Sequence, residues 1–96
     1  MQTITIEGAG GLLLTADEDG DPAGDPVVLL HGGGQTRHAW GTTLAAVAAH
    51  GFHALSVDLR GHGESQWDPD GNYTIDGFAA DVAAIAASFD RPPALV

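Results

Sequence analysis

The apolar run Val27-Val28-Leu29-Leu30 passes directly into His31-Gly32-Gly33-Gly34. Glycine carries no Cβ and takes positive φ readily, so three in a row let another group come close to the backbone. N–H groups exposed in this way can hold a negatively charged oxygen. In acyl transfer, one donor of an oxyanion hole comes from such a strand-to-helix loop. A tight turn that simply needs glycine would give the same quartet, and the quartet by itself leaves both readings open. A second stretch, Asp58-Leu59-Arg60-Gly61-His62-Gly63-Glu64-Ser65, has glycines for two sharp reversals. Asp58 and Arg60 are expected to pair across it and hold it, which makes it architecture beneath a site. His62 is the residue of interest there.

Other chemistries find little support. No Gly-x-Ser-x-Gly occurs: Ser56 lies in "ALSVD" and Ser65 in "GESQW", neither flanked by the glycines of a nucleophile elbow. Without cysteine or lysine there is no thiolate, Cys-ligated zinc, Schiff base or Walker A loop. Asp17-x-Asp19-x-Asp21 begins like a calcium loop, but Pro22 stands where the turn glycine belongs and Val28 where the bidentate glutamate belongs. Asp68-x-Asp70-x-Asn72 fails in the same way, at Tyr73 and Ala79. The five histidines are scattered with no His-Glu-x-x-His. Gly32-x-Gly34 has Arg37 where a dinucleotide fingerprint needs its third glycine. No metal and no cofactor is expected.

The positioning elements come from a chain of 96 residues, 44% hydrophobic, which is at most one small globular domain with a modest core. Thirteen acids face only Arg37, Arg60 and Arg91, for a net charge of −10. Nucleic acid and anionic membranes need clustered cations, so neither is an expected partner. "MQTITIEGAG" has no basic and apolar leader pattern, and no apolar run reaches the ~18 residues of a membrane span. The expectation is a cytoplasmic protein.

Thr3–Ile6 and Leu12–Thr15 read as strands separated by a turn, and Asp17–Pro26 as a polar loop of Asp-Gly and Asp-Pro signals. Val27–Leu30 has the continuous apolar character of a parallel strand covered on both faces. A helix is expected over roughly Trp40–Ala49, closed by Gly51, then a strand at 52–57. Thr74 is placed to cap a second helix whose apolar face holds Ile75, Phe78, Val82, Ile85 and Phe89. Asp76 suits that helix's N-terminus. Pro92 and Pro93 end it, and Ala94-Leu95-Val96 starts a further strand. Strands alternating with helices predict an α/β fold with a parallel sheet.

Taken together, "VVLLHGGGQTRHAW", "FHALSVDLRGHGES" and "YTIDGFAADVAAIAASFDRPPALV" resemble the α/β-hydrolase family, in the branch with epoxide hydrolases, haloperoxidases, haloalkane dehalogenases, C–C bond hydrolases and related esterases. The likeness is collinear over nearly the whole chain. It implies the N-terminal part of an α/β-hydrolase sheet: three strands, a helix, a fourth strand, a second helix and the start of a fifth strand. The third strand would lie between the fourth and fifth, with helices on opposite faces and ligands at the strands' carboxyl ends. By the same resemblance, Gly33 matches the position whose N–H stabilises the oxyanion. His31, Gly32, Gly34, Asp58, Arg60, Gly61 and Gly63 would shape the two loops, and the catalytic histidine would come last in the chain. Gly33-Gly34-Gln35 departs from relatives with a bulky residue straight after His-Gly, which bears on the lining of the pocket. The family's elbow belongs a few residues beyond Val96, in a domain of about 200–250 residues. Residues 1–96 are therefore expected to be a partial domain, inactive alone, from an enzyme hydrolysing a small-molecule ester, epoxide or related substrate. The alternative is a non-enzymatic truncated or degenerate α/β protein or binding module.

Overall fold

The computed structural model describes residues 1–96. The strands are β1 (Gln2–Glu7), β2 (Leu13–Gly20), β3 (Pro26–Leu30), β4 (His53–Val57) and β5 (Ala94–Leu95), and the helices are α1 (Gly41–Ala49) and α2 (Ile75–Ala87). They form one five-stranded sheet in the order β1-β2-β4-β3-β5. β1 and β2 are an antiparallel hairpin, β2 runs antiparallel to β4, and β3 is parallel to both β4 and β5. The chain leaves β3 toward β4 and returns across it to β5, so strand order reverses at β3, as the resemblance implied.

β3 is apolar throughout because both of its faces are covered. Val28 packs with Leu14, Ala16, Leu55 and Val57 against Ile85 of α2. Val27 and Leu29 pack with Ala54 against Leu44 of α1 on the opposite face. Full burial of each Val, Leu or Ile side chain contributes about 1.5–3 kcal/mol. α1 stops where expected: His50 is its last cap, and Gly51 takes φ +89° just beyond it. A 3-10 turn, Arg37–Trp40, precedes α1 and takes up the start of the helix expected from Trp40.

Two expectations are corrected. The polar loop was placed from Asp17, but β2 continues to Gly20, pairing with β1 on one side and β4 on the other. Hydrogen bonding along both edges overrides the local turn signals, and the acids find partners. Asp17 accepts from Thr3 Oγ1 at 2.8 Å, and Glu18 lies 2.7 Å from His53 Nε2. The second correction is one residue of the apolar face of α2: Phe78, Val82, Ile85 and Phe89 are buried or half-buried as expected, but Ile75 is not. Thr74 caps the helix, accepting from Gly77 N–H at 3.1 Å. However, Gly77, Asp81 and Ile85 face inward, while Ile75 is 83% exposed. On this inward side Asp81 meets the buried Arg60 guanidinium. No helix is long and apolar enough to cross a membrane.

Candidate functional site

The loops that leave the carboxyl ends of β3 and β4 lie side by side. Gln35 N–H donates to Gly32 O at 3.1 Å, and Gly34 has φ +78°, so residues 32–35 close a type II turn. The three glycine amides then differ. Gly32 N–H donates to Gln35 Oε1 at 3.0 Å, and Gly34 N–H to His62 Nε2 at 3.2 Å. Gly33 N–H, between them, has no acceptor in the chain. Gly33 is exposed, and a Cβ built on it would meet nothing within 4 Å.

His31 is buried, and both of its ring nitrogens are engaged. Leu59 N–H donates to Nε2 at 3.0 Å, which leaves the hydrogen on Nδ1, 2.8 Å from Gly32 O. His62 answers it from the other loop, with Nδ1 2.9 Å from Arg60 O and Nε2 on Gly34 N–H. The two rings lie 4.9 Å apart. Neither imidazole has a nitrogen free to activate water. The buried serines are committed as well. Ser56 Oγ donates to Arg37 O at 2.7 Å; Ser65 Oγ donates to Asp58 O at 2.6 Å and accepts from Thr15 N–H at 2.9 Å.

Asp58 and Arg60 do not pair with each other; each anchors the β4 loop to a different face of the sheet. Asp58 continues the face of Ala54 and Ser56. It accepts from Arg37 N–H and Arg37 Nη1, both at 2.6 Å, and from Glu64 N–H at 3.0 Å. Arg37 also reaches Glu64 through Nη2 at 2.9 Å and lies with Nε 3.1 Å from Asp17. The angle to Asp17 is poor, so Arg37 Nε makes an ionic contact without a hydrogen bond. Burial alone would raise the Asp58 carboxyl, but the two backbone N–H donors and the Arg37 guanidinium outweigh it and hold the group below the usual carboxylate range. Arg37 is opposed by burial, yet hydrogen bonds to Glu64 and Asp58 and the nearby charge of Asp17 raise it further above its ordinary value. Beyond the turn in the chain, Arg60 grips Asp81 of α2 through Nε and Nη2 at 2.6 and 2.7 Å, a bidentate pair that raises the guanidinium further. Arg60 Nη1 donates to Asn72 O at 3.0 Å, and Asp81 also accepts from Ala9 N–H at 2.9 Å.

Gly63, at φ +51°, lies so close to the Asp58 carboxylate that any Cβ would collide with it. A Cβ on Gly61 would likewise collide with the Tyr73 ring. Beside His62, an open apolar hollow of about 330 Å³ is lined by Gly61, Trp67, Tyr73 and Phe78. A larger hollow of about 490 Å³, lined by Pro22, Pro26, His53 and Arg91 among others, sits at the opposite end of β3 and β4. Sequence reasoning missed Arg37, Gln35, Asp17 and Asp81. The available signal was the scarcity of cations: with three arginines among thirteen acids, each arginine would draw carboxylates. Spacing does not say which ones.

Among the three glycine amides at the end of this central strand, the arrangement leaves that of Gly33 without an acceptor. A family model described as the alpha/beta hydrolase family matches residues 27–96. An esterase of Mycobacterium tuberculosis is 52% identical over 48 residues, covering 50% of this chain and 15% of the relative. A non-heme chloroperoxidase of Streptomyces lividans is 31% identical over 86 residues, covering 90% of this chain and 31% of the relative. Among solved structures, an epoxide hydrolase from Vigna radiata superposes with a TM-score of 0.82 at 28% identity, covering 91% of this chain and 28% of that one. This chain thus spans less than a third of the length of each of these three proteins. With the strand order, the paired loops and the family match in agreement, the chain belongs to the α/β-hydrolase family.

Proposed function

We propose that this chain forms the N-terminal part of a hydrolase for small-molecule esters, epoxides or related substrates, and that Gly33 N–H donates to the negative oxygen of the reaction. The observation carrying this reading is the difference among the three glycine amides. Those of Gly32 and Gly34 have side-chain acceptors, whereas Gly33 N–H has none. Such a donor, held in place before the reaction starts, stabilises charge only where something generates it. Ser56 and Ser65 are tied into the loops and both imidazoles are engaged, so the nucleophile and its base are assigned to residues outside these 96.

The test has two parts. The coding DNA after codon 96 is expected to continue in frame to a Gly-x-Ser-x-Gly or Gly-x-Asp-x-Gly. In the longer enzyme, Gly33→Pro should lower kcat by about 10²–10³, the effect of removing one oxyanion donor. Gly33 is the second residue of a type II turn, where proline is favoured, so this substitution removes the N–H with little conformational cost. The 96-residue chain alone should show no turnover of a p-nitrophenyl ester. Specific turnover by the chain alone, lost on substitution of His31 or His62, would overturn the reading.

A further inference from the structure

The two loops exchange hydrogen bonds through their histidines. His31, from the β3 loop, accepts Leu59 N–H of the β4 loop; His62, from the β4 loop, accepts Gly34 N–H of the β3 loop. Each ring places Nδ1 against a carbonyl of its own loop, Gly32 O for His31 and Arg60 O for His62. His31 fixes where the glycine turn begins. His62 acts on the turn itself, since the amide it holds belongs to the peptide between Gly33 and Gly34. Gln35 holds the amide on the other side of Gly33 from within the turn. Glycine amides in an exposed turn would otherwise be free to rotate, and three of them could compete for one anion.

We propose that His62 is a positioning residue. By occupying Gly34 N–H through Nε2, it locks the peptide plane next to Gly33 and leaves Gly33 N–H as the one free donor among the three glycine amides. Phe78 and Tyr73, at the start of α2, give this ring its seat. The His62 and Phe78 rings are 6.2 Å apart, and Tyr73 and Phe78 are 6.4 Å apart. The Arg60 guanidinium is turned away onto Asp81 and Asp68, so the loop presents only the Arg60 carbonyl to the ring. This rests on the reading of Gly33 as an oxyanion donor, but the clamp itself can be measured without any turnover.

The variants are His62→Gln, whose Oε1 can take the place of Nε2 as acceptor, and His62→Phe, which keeps an aromatic ring and loses the acceptor. Amide hydrogen exchange of the 96-residue chain, read by mass spectrometry with residue-resolving fragmentation, reports Gly33 and Gly34 separately and does not require a monomer. In the native chain Gly34 should be protected and Gly33 should exchange freely. His62→Phe should speed Gly34 exchange about tenfold, as loss of one net hydrogen bond predicts, and His62→Gln should restore most of the protection. Unchanged Gly34 exchange in His62→Phe, or no recovery in His62→Gln, overturns the clamp whatever the enzyme does. In the longer hydrolase, His62→Phe should lower kcat with KM nearly unchanged, and His62→Gln should recover it. If Gly34 exchange follows the expected pattern while kcat stays at the native value in both variants, the clamp stands as a structural device. Its role in positioning the donor then fails, and Gly33→Pro tells whether the donor reading fails with it.

Discussion

Asp58→Asn tests the reasoning about the β4 loop most directly. The carboxylate is fully buried and accepts from Arg37 N–H and Glu64 N–H as well as from Arg37 Nη1. Asparagine keeps one acceptor oxygen and turns a hydrogen-bearing nitrogen toward the remaining donors. In the place of Oδ2, that nitrogen would oppose both Arg37 Nη1 and Glu64 N–H; in the place of Oδ1, it opposes only Arg37 N–H. The second orientation is the less costly. It leaves one buried donor unpaired, at about 1–3 kcal/mol. The guanidinium also loses a charge partner but keeps Asp17 and the exposed Glu64. The loss therefore stays below the upper part of the range of about 3–5 kcal/mol for stripping a buried ion of its partner. About 3 kcal/mol is expected, which in a domain of this size lowers Tm by about 12–24 °C.

Acid adds an independent check. The folded-state pKa of Asp58 is depressed, so its contribution is complete above the unfolded carboxyl value of about 3.9 and is lost as pH falls through the folded value. The gap between native and Asp58→Asn proteins should thus be full at neutral pH and narrow below about pH 4. Urea midpoints followed by circular dichroism at several pH values measure both effects. A gap under about 1 kcal/mol at pH 7, or one that does not shrink in acid, would refute the assignment of Asp58 as a buried ionised anchor. In the longer hydrolase, turnover per folded molecule should survive this substitution, because Asp58 touches no reacting atom.

Asp81→Ala leaves Arg60 Nε and Nη2 and Ala9 N–H without their acceptor, and should lower stability by about 3–5 kcal/mol in chemical denaturation. Gly63→Ala should cost about 1–3 kcal/mol from φ alone and more from the collision with Asp58, whereas Gly33→Ala, with open space for its Cβ, should stay within about 0.5 kcal/mol of native stability. Ile75→Ser should also change the denaturation midpoint by no more than about 0.5 kcal/mol, because the side chain is 83% exposed; a larger loss would restore Ile75 to the packed face.

Much of the sheet was legible because its signals are local. The continuous apolar run at Val27–Leu30 requires cover on both faces, and Leu44 and Ile85 supply it from opposite sides. Thr74 and Gly51 mark helix ends through their own hydrogen bonding and backbone freedom, which need no distant partner. The glycine loop was visible for the same reason: only a turn at a strand end uses glycines in that way. What escaped were choices among equivalent partners. Arg37, Arg60 and many carboxylates were all available, and one residue of separation made Asp58 and Arg60 look like a pair. The turn after β4 instead sends Arg60 across to Asp81 of α2 and leaves Asp58 to Arg37, 21 residues away in sequence. Ile75, which periodicity had placed inside, is the first residue of α2 and lies exposed. Likewise, three adjacent glycines are indistinguishable in sequence. Gln35 and His62 single out Gly33 by occupying the amides on either side, and His62 reaches Gly34 only because β3 and β4 are neighbours in the sheet.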